Sequence, residues 1–316
     1  MLMKFRYWNY RFKYKYAKYL NLSKPVDVCL ELSSICNQQC SYCYHGDQKK
    51  LPFKQSLMPV SIAKKTLVEA AELETNSVKF NFRGESTIHP DFLYITSLAK
   101  KLSNKTTFID RITNSNFKFK NDNDDIFNAL CNQTKVKISF DSFLPGVMEK
   151  QRSGSNLNLA IANIDKFYNF INRKNTKIVI QAVRTSLNKD EDLKSEVKRR
   201  WPEAYVSIND MVTGRTNKSI KHLKIKSMSN NRQSCLQAHN RLIVNWDGRV
   251  TMCCPDIGSK LIVGDISNEK LIDIWNCPTA KSIRNDLLNG SAFNFEPCKS
   301  CPSFESYIGF NAKWDS

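Results

Sequence analysis

Short runs of β-branched and aromatic residues alternate with segments of helical spacing along the first two thirds of the chain. These runs predict six strands, at 26–32, 77–82, 108–113, 136–140, 177–183 and 205–209. Between the strands, apolar residues repeat every three or four positions, which is typical of helices with one buried face, as in 59–73, 90–102 and 156–171. Such alternation predicts parallel strands joined by right-handed crossovers. Because six units are fewer than the eight of a closed barrel, we expect a partial (β/α)6 barrel or an open α/β sheet.

Polar residues follow each predicted strand at its C-terminal end. The first strand runs into "CNQQCSYC", 36–43, and the second runs into "RGES", 83–86. The third and fourth run into "TNSN", 113–116, and "SFDS", 139–142. The last two strands end near Gln181, Arg184, Asn209 and Asp210. Since parallel strands present their C-terminal ends at one rim, these side chains predict a functional site there.

The last third of the chain has a different pattern. "NRLIVNWDGRVTMCC" predicts a β-hairpin that turns at Asp247-Gly248, and two short helices and "EPCKSC" follow it. We therefore expect a small cysteine-rich module next to the α/β domain. The predicted parts are a basic aromatic N-terminal segment, a core domain, a linker, the cysteine-rich module and a tail, at 1–25, 26–215, 216–234, 235–303 and 304–316.

Composition narrows the class of protein. Of the 316 residues, 41% are hydrophobic, as in a globular protein. No apolar run reaches the roughly 18–20 residues of a membrane helix, and the N-terminus lacks the apolar region of a signal peptide. We therefore expect a cytoplasmic protein without a membrane partner. Eleven cysteines in a reducing compartment favour metal or iron–sulfur ligation over disulfides.

The formal net charge of +18 makes nucleic acid a candidate partner. Residues 1–20 contain only basic charges, interleaved with aromatic rings, a composition that suits single-stranded nucleic acid. The alternative is that these rings pack on the domain surface, since lysine is spread along the whole chain. Both interpretations remain open from the sequence.

Cys36, Cys40 and Cys43 follow the first predicted strand with the spacing CxxxCxxC. A cubane 4Fe–4S cluster has four irons and is held by cysteine thiolates, so three thiolates leave one iron open to a small molecule. An open coordination position is typical of a catalytic metal site. The alternative is a zinc site in which His45 is the fourth ligand.

This spacing, with the aromatic Tyr42 before the last cysteine, resembles the signature of radical S-adenosylmethionine (SAM) enzymes. The resemblance covers roughly residues 26–303. It implies that the open iron binds the amino and carboxylate groups of SAM, and that Tyr42 is one of the cofactor-binding residues. It also implies that one electron from the cluster cleaves SAM to methionine and a 5′-deoxyadenosyl radical, which abstracts a substrate hydrogen.

The same resemblance implies roles for residues at the other strand ends. "RGES" is similar to the family's GGEP stretch, so Glu85 would contact the SAM amino group, although Arg83 and Ser86 replace Gly and Pro. Arg152, in "RSGS", would pair with the SAM carboxylate. The residues matching positions that touch the methionine or ribose part are Asn114, Ser139 and Asp141. In the structural alternative, Asn114 caps a turn and Asp141 is a helix-cap or turn residue.

The cysteine-rich module resembles the SPASM extension in its shorter twitch form. Its opening, in which Cys235 is followed by Gly248 and Cys253, and its closing "PCKSC" are similar to that motif. The resemblance implies one auxiliary 4Fe–4S cluster with the ligands Cys235, Cys253, Cys298 and Cys301. Four cysteines with this spacing would equally suit zinc. Cys254 is either a small buried residue, like Cys277, or a hydrogen-atom donor to a substrate radical.

The resemblance implies a radical enzyme that oxidises or epimerises a small polar molecule, such as a sugar, an aminocyclitol or a nucleotide-type compound. Its expected partners are that substrate and a reductant such as flavodoxin or ferredoxin. One alternative is a maturase of a ribosomally made peptide, although only about 25 residues precede the first predicted strand. Two further alternatives rest on charge: nucleic-acid or nucleotide modification, and a non-catalytic metal-containing nucleic-acid-binding protein.

Overall fold

The computed structural model describes residues 2–47, 51–103, 110–119, 124–171, 175–211, 235–254, 256–289 and 295–299. The strands in these ranges are β1 Asp27–Leu30, β2 Gln39–Cys40, β3 Ser77–Phe80, β4 Asp110–Ser115, β5 Lys135–Ser139, β6 Arg152–Ser153, β7 Lys177–Arg184, β8 Tyr205–Asp210, β9 Arg241–Val244, β10 Arg249–Thr251 and β11 Ile262–Asp265. The helices are α1 Leu2–Leu20, α2 Val60–Glu72, α3 Phe92–Ser103, α4 Asp124–Cys131, α5 Val147–Gln151, α6 Leu157–Phe170, α7 Leu193–Arg200, α8 Gln237–Asn240, α9 Leu271–Asn276, α10 Pro278–Leu288 and α11 Glu296–Lys299.

A nine-stranded sheet has the order β11-β10-β9-β1-β3-β4-β5-β7-β8. The six predicted strands are its β1, β3, β4, β5, β7 and β8, and each pairs in parallel with the next. The sheet of the described residues has two ends, β8 and β11, which confirms an open, partial barrel. The strand predicted at 108–113 extends to Ser115, so Asn114 belongs to the strand and does not follow it; residues 108 and 109 lie outside the described residues.

The predicted helices cover one face of this sheet. In β1, Val28 and Leu30 join the main hydrophobic core, together with buried residues of α2, α3 and α6. Asp27 and Cys29 alternate with them and therefore belong to the opposite face of the sheet. Both faces of β1 are buried, which explains why this strand reads as an almost continuous apolar run.

The predicted C-terminal hairpin is confirmed, since β9 and β10 pair antiparallel and Gly248 has a φ of 92° at the turn. It does not stand apart from the barrel. β9 pairs in parallel with β1, from Asp27 opposite Arg241 to Leu30 opposite Val244. The hairpin and β11 therefore extend the barrel sheet, because they use the edge of β1 that β3 leaves open.

The N-terminal segment forms the helix α1, which lies at the start of β1 and β9. Tyr10 Oη donates a hydrogen bond to Asp27 (3.3 Å), and Arg241 donates to Tyr14 Oη (2.9 Å). The prediction that the N-terminal rings pack on the domain surface is therefore confirmed for Tyr10 and Tyr14. Among the described residues, no helix is both long and apolar enough to cross a membrane.

Candidate functional site

The loop with the first three cysteines lies at the C-terminal end of β1. Its strand β2 pairs antiparallel with β6, so that Cys40 lies opposite Arg152. Ser41 attaches to the same region, because both its backbone N–H (2.8 Å) and its hydroxyl (3.2 Å) donate to the carbonyl of Gln151. The cysteine loop is thus held by the segment that follows β5, across the rim of the barrel.

The buried carboxylate of Asp141 holds Arg152 and Tyr42 in place. Arg152 donates two hydrogen bonds to its carboxylate, at 2.8 and 3.0 Å. Tyr42 Oη donates a third at 2.5 Å, and the backbone N–H of Val183 donates a fourth at 2.9 Å. Asp141 is fully buried, so the guanidinium neutralises a charge that would otherwise be costly to bury. Sequence analysis placed these three side chains on SAM; the structure joins them to one another.

Arg152 also reaches the cysteine loop. Its Nη1 lies 3.7 Å from Cys40 Sγ, and its guanidinium carbon lies 5.5 Å from the centre of the Tyr42 ring. Burial raises the pKa of the Cys40 thiol to about 12, and the positive charge of Arg152 acts in the opposite direction. Arg152 is therefore placed to stabilise a thiolate at Cys40.

Glu85 lies at the start of the loop, where its backbone N–H donates to the carbonyl of Ile35, the residue before Cys36 (2.9 Å). Its charge contributes to raising the pKa of the Cys36 thiol, after the larger effect of burial. The Glu85 carboxylate is buried and accepts hydrogen bonds from the Thr87 backbone N–H (3.2 Å), the Thr87 hydroxyl (2.7 Å) and the Asn116 backbone N–H (2.9 Å). Burial raises the pKa of the Glu85 carboxyl, and these hydrogen bonds lower it in part.

The glycine before Glu85 allows this loop to approach the cysteines. A Cβ on Gly84 would lie 2.8 Å from the backbone carbon of Ser34 and closer still to the carbonyl oxygens of Ser33 and Ile35. The backbone N–H of Glu85 donates to the Ile35 carbonyl (2.9 Å). Only a residue without a side chain fits between "RGES" and the backbone just ahead of Cys36.

A polar network after β4 was not found by sequence analysis. Asn37, within the cysteine loop, donates to the carbonyl of Lys118 (3.0 Å) and accepts from Asn116 (2.5 Å). Lys118 in turn donates to the carbonyl of Asn37 (2.7 Å). The asparagines of "CNQQC" and "TNSN" were the only signal for this contact. For Asn114 and Ser139, the structure places the backbone at the ends of β4 and β5, and their predicted SAM contacts remain predictions.

The predicted auxiliary ligands lie in the C-terminal part. Cys235 precedes α8, Cys253 follows β10 and the buried Cys298 lies in α11, whereas Cys301 lies outside the described residues. Cys277 has a structural role, because its sulfur accepts from the Ala280 backbone N–H (3.3 Å) at the start of α10.

Cys254, the candidate hydrogen donor, is a partly exposed residue that follows β10. Its charge affects the pKa values of both Cys29 and Arg241, although burial has the largest effect on each of them. Cys29 and Arg241 belong to the neighbouring strands β1 and β9. The donor role of Cys254 remains a prediction.

Among the side chains that the structure describes, no three His, Cys, Asp or Glu residues converge closely enough to hold a single metal ion. His45, the alternative zinc ligand, is buried, with Nε2 at 3.1 Å from the carbonyl of Arg83 and its ring against Phe53. Cys40 and Cys43 do lie close enough to Cys36 for their charges to contribute to raising its pKa, after burial and Glu85. A cubane cluster binds each thiolate at a different iron, so it needs no such convergence.

Comparison with known proteins identifies the C-terminal part. Residues 235–302 match the SPASM family model, described as an iron–sulfur cluster-binding domain. This part of the chain is similar to SPASM domains, and residues 235–302 are called the SPASM domain below, after the model that they match. It is also 27% identical, over 97 residues, to the S-adenosyl-L-methionine-dependent 2-deoxy-scyllo-inosamine dehydrogenase of Niallia circulans. That match covers 31% of this chain and 38% of the relative, so the chain's matching segment spans less than half of that protein.

Solved structures share the fold of most of the chain. BtrN in complex with AdoMet and 2-DOIA superposes with a TM-score of 0.57 at 16% identity, covering 87% of this chain and 92% of BtrN. Streptococcus suis SuiB bound to the precursor peptide SuiA gives 0.64 at 15% identity, covering 87% and 70%. The enzyme anSMEcpe with bound AdoMet gives 0.61 at 15% identity, covering 89% and 87%. At these identities the likeness concerns the fold.

The SPASM domain is joined to the barrel by a buried ion pair. Arg83, which replaces the Gly expected in "RGES", pairs through two nitrogens with the Glu31 carboxylate just after β1. Its remaining nitrogen donates to the Ile257 carbonyl (3.0 Å) and the Ser259 hydroxyl (3.3 Å), both in the SPASM domain. Glu31 also accepts from the backbone N–H of Trp246 (3.1 Å). The substitution that seemed a departure from the motif thus connects the two parts.

Proposed function

We propose that this protein is a radical SAM enzyme, in which Cys36, Cys40 and Cys43 hold the 4Fe–4S cluster that binds SAM. The observation that carries the proposal is the rim loop itself. It holds three thiols at the C-terminal end of β1, with Glu85 beside Cys36 and Arg152 beside Cys40. A carboxylate and a guanidinium on either side of the loop match the ammonium and carboxylate ends of a bound amino acid.

The donor set supports a cluster at this loop. Cys40 and Cys43 contribute to raising the pKa of Cys36, after burial and Glu85, and Cys43 contributes to raising that of Cys40, after burial. A cluster relieves this unfavourable burial of thiolate charge, because iron binds the deprotonated sulfurs. Three thiolates on four irons leave one iron for SAM. A cluster held by these thiolates would supply the electron, taken from an external reductant, for cleavage of SAM to methionine and a 5′-deoxyadenosyl radical.

The chain's own residues position this site. Asp141 fixes both Arg152 and Tyr42, so the orientation of the guanidinium toward Cys40 is set before SAM binds. Glu85 is held by Thr87 and Asn116 and supplies a negative charge for the SAM ammonium group. Asn114 and Ser139 lie at the C-terminal ends of the adjacent strands β4 and β5 and are proposed contacts to the methionine or ribose part of SAM.

We assign the auxiliary cluster of the SPASM domain to Cys235, Cys253, Cys298 and Cys301. Four cysteine ligands close the cluster, so its function would be electron transfer and not substrate ligation. A substrate radical formed in the barrel could then lose its electron to this cluster, which would give net oxidation. The expected electron donor for the first cluster is a small reductant such as flavodoxin or ferredoxin.

The substrate we propose is a small polar molecule of the sugar or aminocyclitol type, which the enzyme oxidises. The support is the sequence relative, which is by name a dehydrogenase of 2-deoxy-scyllo-inosamine. A peptide substrate is the second candidate, supported by the fold likeness to SuiB bound to its precursor peptide. Nucleotide-type substrates and epimerisation rest on the sequence patterns alone.

The first test is SAM cleavage by anaerobically reconstituted, dithionite-reduced protein. Wild type should release 5′-deoxyadenosine, and Cys40→Ala should release none. Cys131→Ala, at the end of α4, is the matched control and should behave as wild type. Cleavage at the wild-type rate by a Cys36/Cys40/Cys43 triple alanine variant would show that the proposal is wrong.

The second test concerns the substrate. Incubation with aminocyclitols such as 2-deoxy-scyllo-inosamine should yield a product two mass units lighter, with one 5′-deoxyadenosine formed per product. If SAM is cleaved but no aminocyclitol or sugar reacts, the radical chemistry stands and the substrate proposal fails.

A further inference from the structure

One side of α1 faces away from the barrel and carries large aromatic side chains. Trp8 and Tyr19 are each 71% exposed, Phe12 is 53% exposed and Tyr16 is also exposed. Their spacing of four, four and three residues puts them in one stripe along the helix. We call these four residues the aromatic face of α1.

The aromatic face is outward because the opposite side of α1 is fixed. Tyr10, Tyr14 and Ala17 are buried against the barrel. Tyr14 is held twice, since its carbonyl accepts from Asn240 (3.0 Å) and its hydroxyl accepts from Arg241 (2.9 Å). A rotation of α1 that hid the exposed rings would break these bonds, so their exposure is part of the fold.

Basic residues lie beside the aromatic face. Residues 2–20 contain six cations and no acid, at Lys4, Arg6, Arg11, Lys13, Lys15 and Lys18. By helical spacing, Arg11, Lys15 and Lys18 flank the exposed rings on one side. The positive charge of α1 therefore favours an anionic partner.

The contacts of the exposed rings distinguish between two anionic partners, single-stranded nucleic acid and a lipid surface. Lys15 Nζ lies 5.1 Å from the centre of the Tyr16 ring, and Lys18 Nζ lies 4.7 Å from that of Tyr19. Phe12 and Tyr16 pack against each other with ring centres 4.8 Å apart. Single-stranded nucleic acid binds by stacking bases on free ring faces, and these contacts compete with such stacking. A lipid interface needs only the apolar bulk of the rings, with cations at headgroup level.

We propose that α1 is a peripheral membrane-binding helix, which lays its aromatic face into the surface of an anionic lipid bilayer. This surface interaction involves no membrane-spanning segment, and it replaces the sequence-based expectation that the protein has no membrane partner. It does not depend on the proposed radical chemistry. Aromatic side chains prefer the interface between headgroups and acyl chains, and each surface lysine adds electrostatic attraction to anionic lipid.

The test is flotation of the full-length protein with vesicles of phosphatidylcholine containing 30% phosphatidylglycerol. Wild type should float with these vesicles and stay at the bottom with pure phosphatidylcholine. Trp8→Ala/Phe12→Ala should lower the partition coefficient at least tenfold. Lys15→Gln/Lys18→Gln should lower it by about 30-fold, from the contribution of two surface lysines.

Matched controls change exposed residues elsewhere. Tyr94→Ala/Phe170→Ala removes two exposed rings on α3 and α6, and Lys64→Gln/Lys194→Gln removes two exposed charges on α2 and α7. Both controls should bind vesicles as wild type does. Equal loss in controls and α1 variants, or no flotation of wild type, overturns the proposal. The proposal is also overturned if a single-stranded oligonucleotide displaces the protein from vesicles and its binding is lost in both α1 variants.

Discussion

At the scale of single residues, the buried charges of the rim determine what the cysteine loop can do. Asp141 accepts four hydrogen bonds within a fully buried position, and two of them come from Arg152. Arg152 in turn lies against Cys40 Sγ. The charge of one carboxylate is thus used to hold a cation beside one proposed cluster ligand.

We predict that Arg152→Gln lowers the midpoint potential of the cluster at Cys36, Cys40 and Cys43. A nearby cation stabilises the reduced, more negative state of a cluster, and a unit charge several Å away at an effective dielectric of about 20 shifts a potential by on the order of 100 mV. An anaerobic redox titration followed by electron paramagnetic resonance measures this shift.

The matched control for that experiment is Arg152→Gln/Asp141→Asn, which removes both charges and leaves no buried carboxylate unpaired. It should restore the thermal stability that the single variant loses, and it should show a smaller fall in potential, because the lost Asp141 charge acts on Cys40 in the opposite direction to that of Arg152. An unchanged potential in both variants would mean that Arg152 only supports the loop.

His239 should make the stability of the protein depend on pH. Burial, followed by the charges of Arg284 and Lys18, lowers its pKa to about 4, from an ordinary 6.5. Between these values the unfolded chain binds a proton that the folded chain does not, so stability rises with pH across this range. At pH 5 the protein should be about 2 kcal/mol less stable than at pH 7.5 from this residue alone.

Urea unfolding of wild type and His239→Gln at both pH values measures this effect. The variant should lose about 2 kcal/mol of the difference between pH 7.5 and pH 5, because glutamine does not titrate. If the two proteins show the same dependence, His239 is not the group responsible.

At the scale of elements, two loops meet at one glycine. The turn after β3 packs against the backbone between β1 and Cys36, and Gly84 leaves no room there for a methyl group. In the same turn, Arg83 extends into the SPASM domain. The four residues of "RGES" therefore position the cysteine loop, the Glu85 carboxylate and the C-terminal hairpin together.

We predict that Gly84→Ala destabilises the protein by about 1–3 kcal/mol, the usual cost of forcing a methyl group into a packed site, and lowers iron binding at the first cluster. Gly258→Ala is the control, because its added Cβ would meet nothing closer than 3.9 Å. Thermal unfolding and iron analysis of both variants check this. Wild-type iron content in Gly84→Ala would mean that the loop can shift without moving the cysteines.

At the scale of the whole molecule, the SPASM domain and the barrel share one sheet and one core. β9 pairs along β1, and α9 and α10 contribute Ile274, Trp275 and Ile283 to the same hydrophobic core as β1 and α2. Trp275 also donates a hydrogen bond to the Leu22 carbonyl (2.8 Å), between α1 and β1. The two parts are therefore expected to unfold together as one cooperative unit.

We predict that the protein holds two 4Fe–4S clusters. Reconstituted wild type should bind about eight irons and the Cys36/Cys40/Cys43 triple alanine variant about four, since each cubane contains four. Iron and sulfide analysis measures the ratio, and Cys131→Ala is the control. A triple variant that is free of iron and loaded with zinc would show that the C-terminal cysteines form a zinc site.

The sequence alone determined the elements and the local motifs. Helical and strand spacing, the turn at Asp247-Gly248 and the CxxxCxxC loop are each encoded within a few consecutive residues, where side-chain period and backbone preference act directly. For this reason all six strands and the rim position of the cysteines were predictable.

Only the tertiary structure decided which polar side chains meet. Arg152 lies 112 positions from Cys40, and Arg83 lies 176 positions from Ser259, so their contacts depend on strand register and on the path of several loops. The sequence also did not predict that β9 extends the barrel sheet or that one side of α1 is exposed. A buried charge is stable only with a partner, but local sequence patterns do not show which distant residue the fold brings to it.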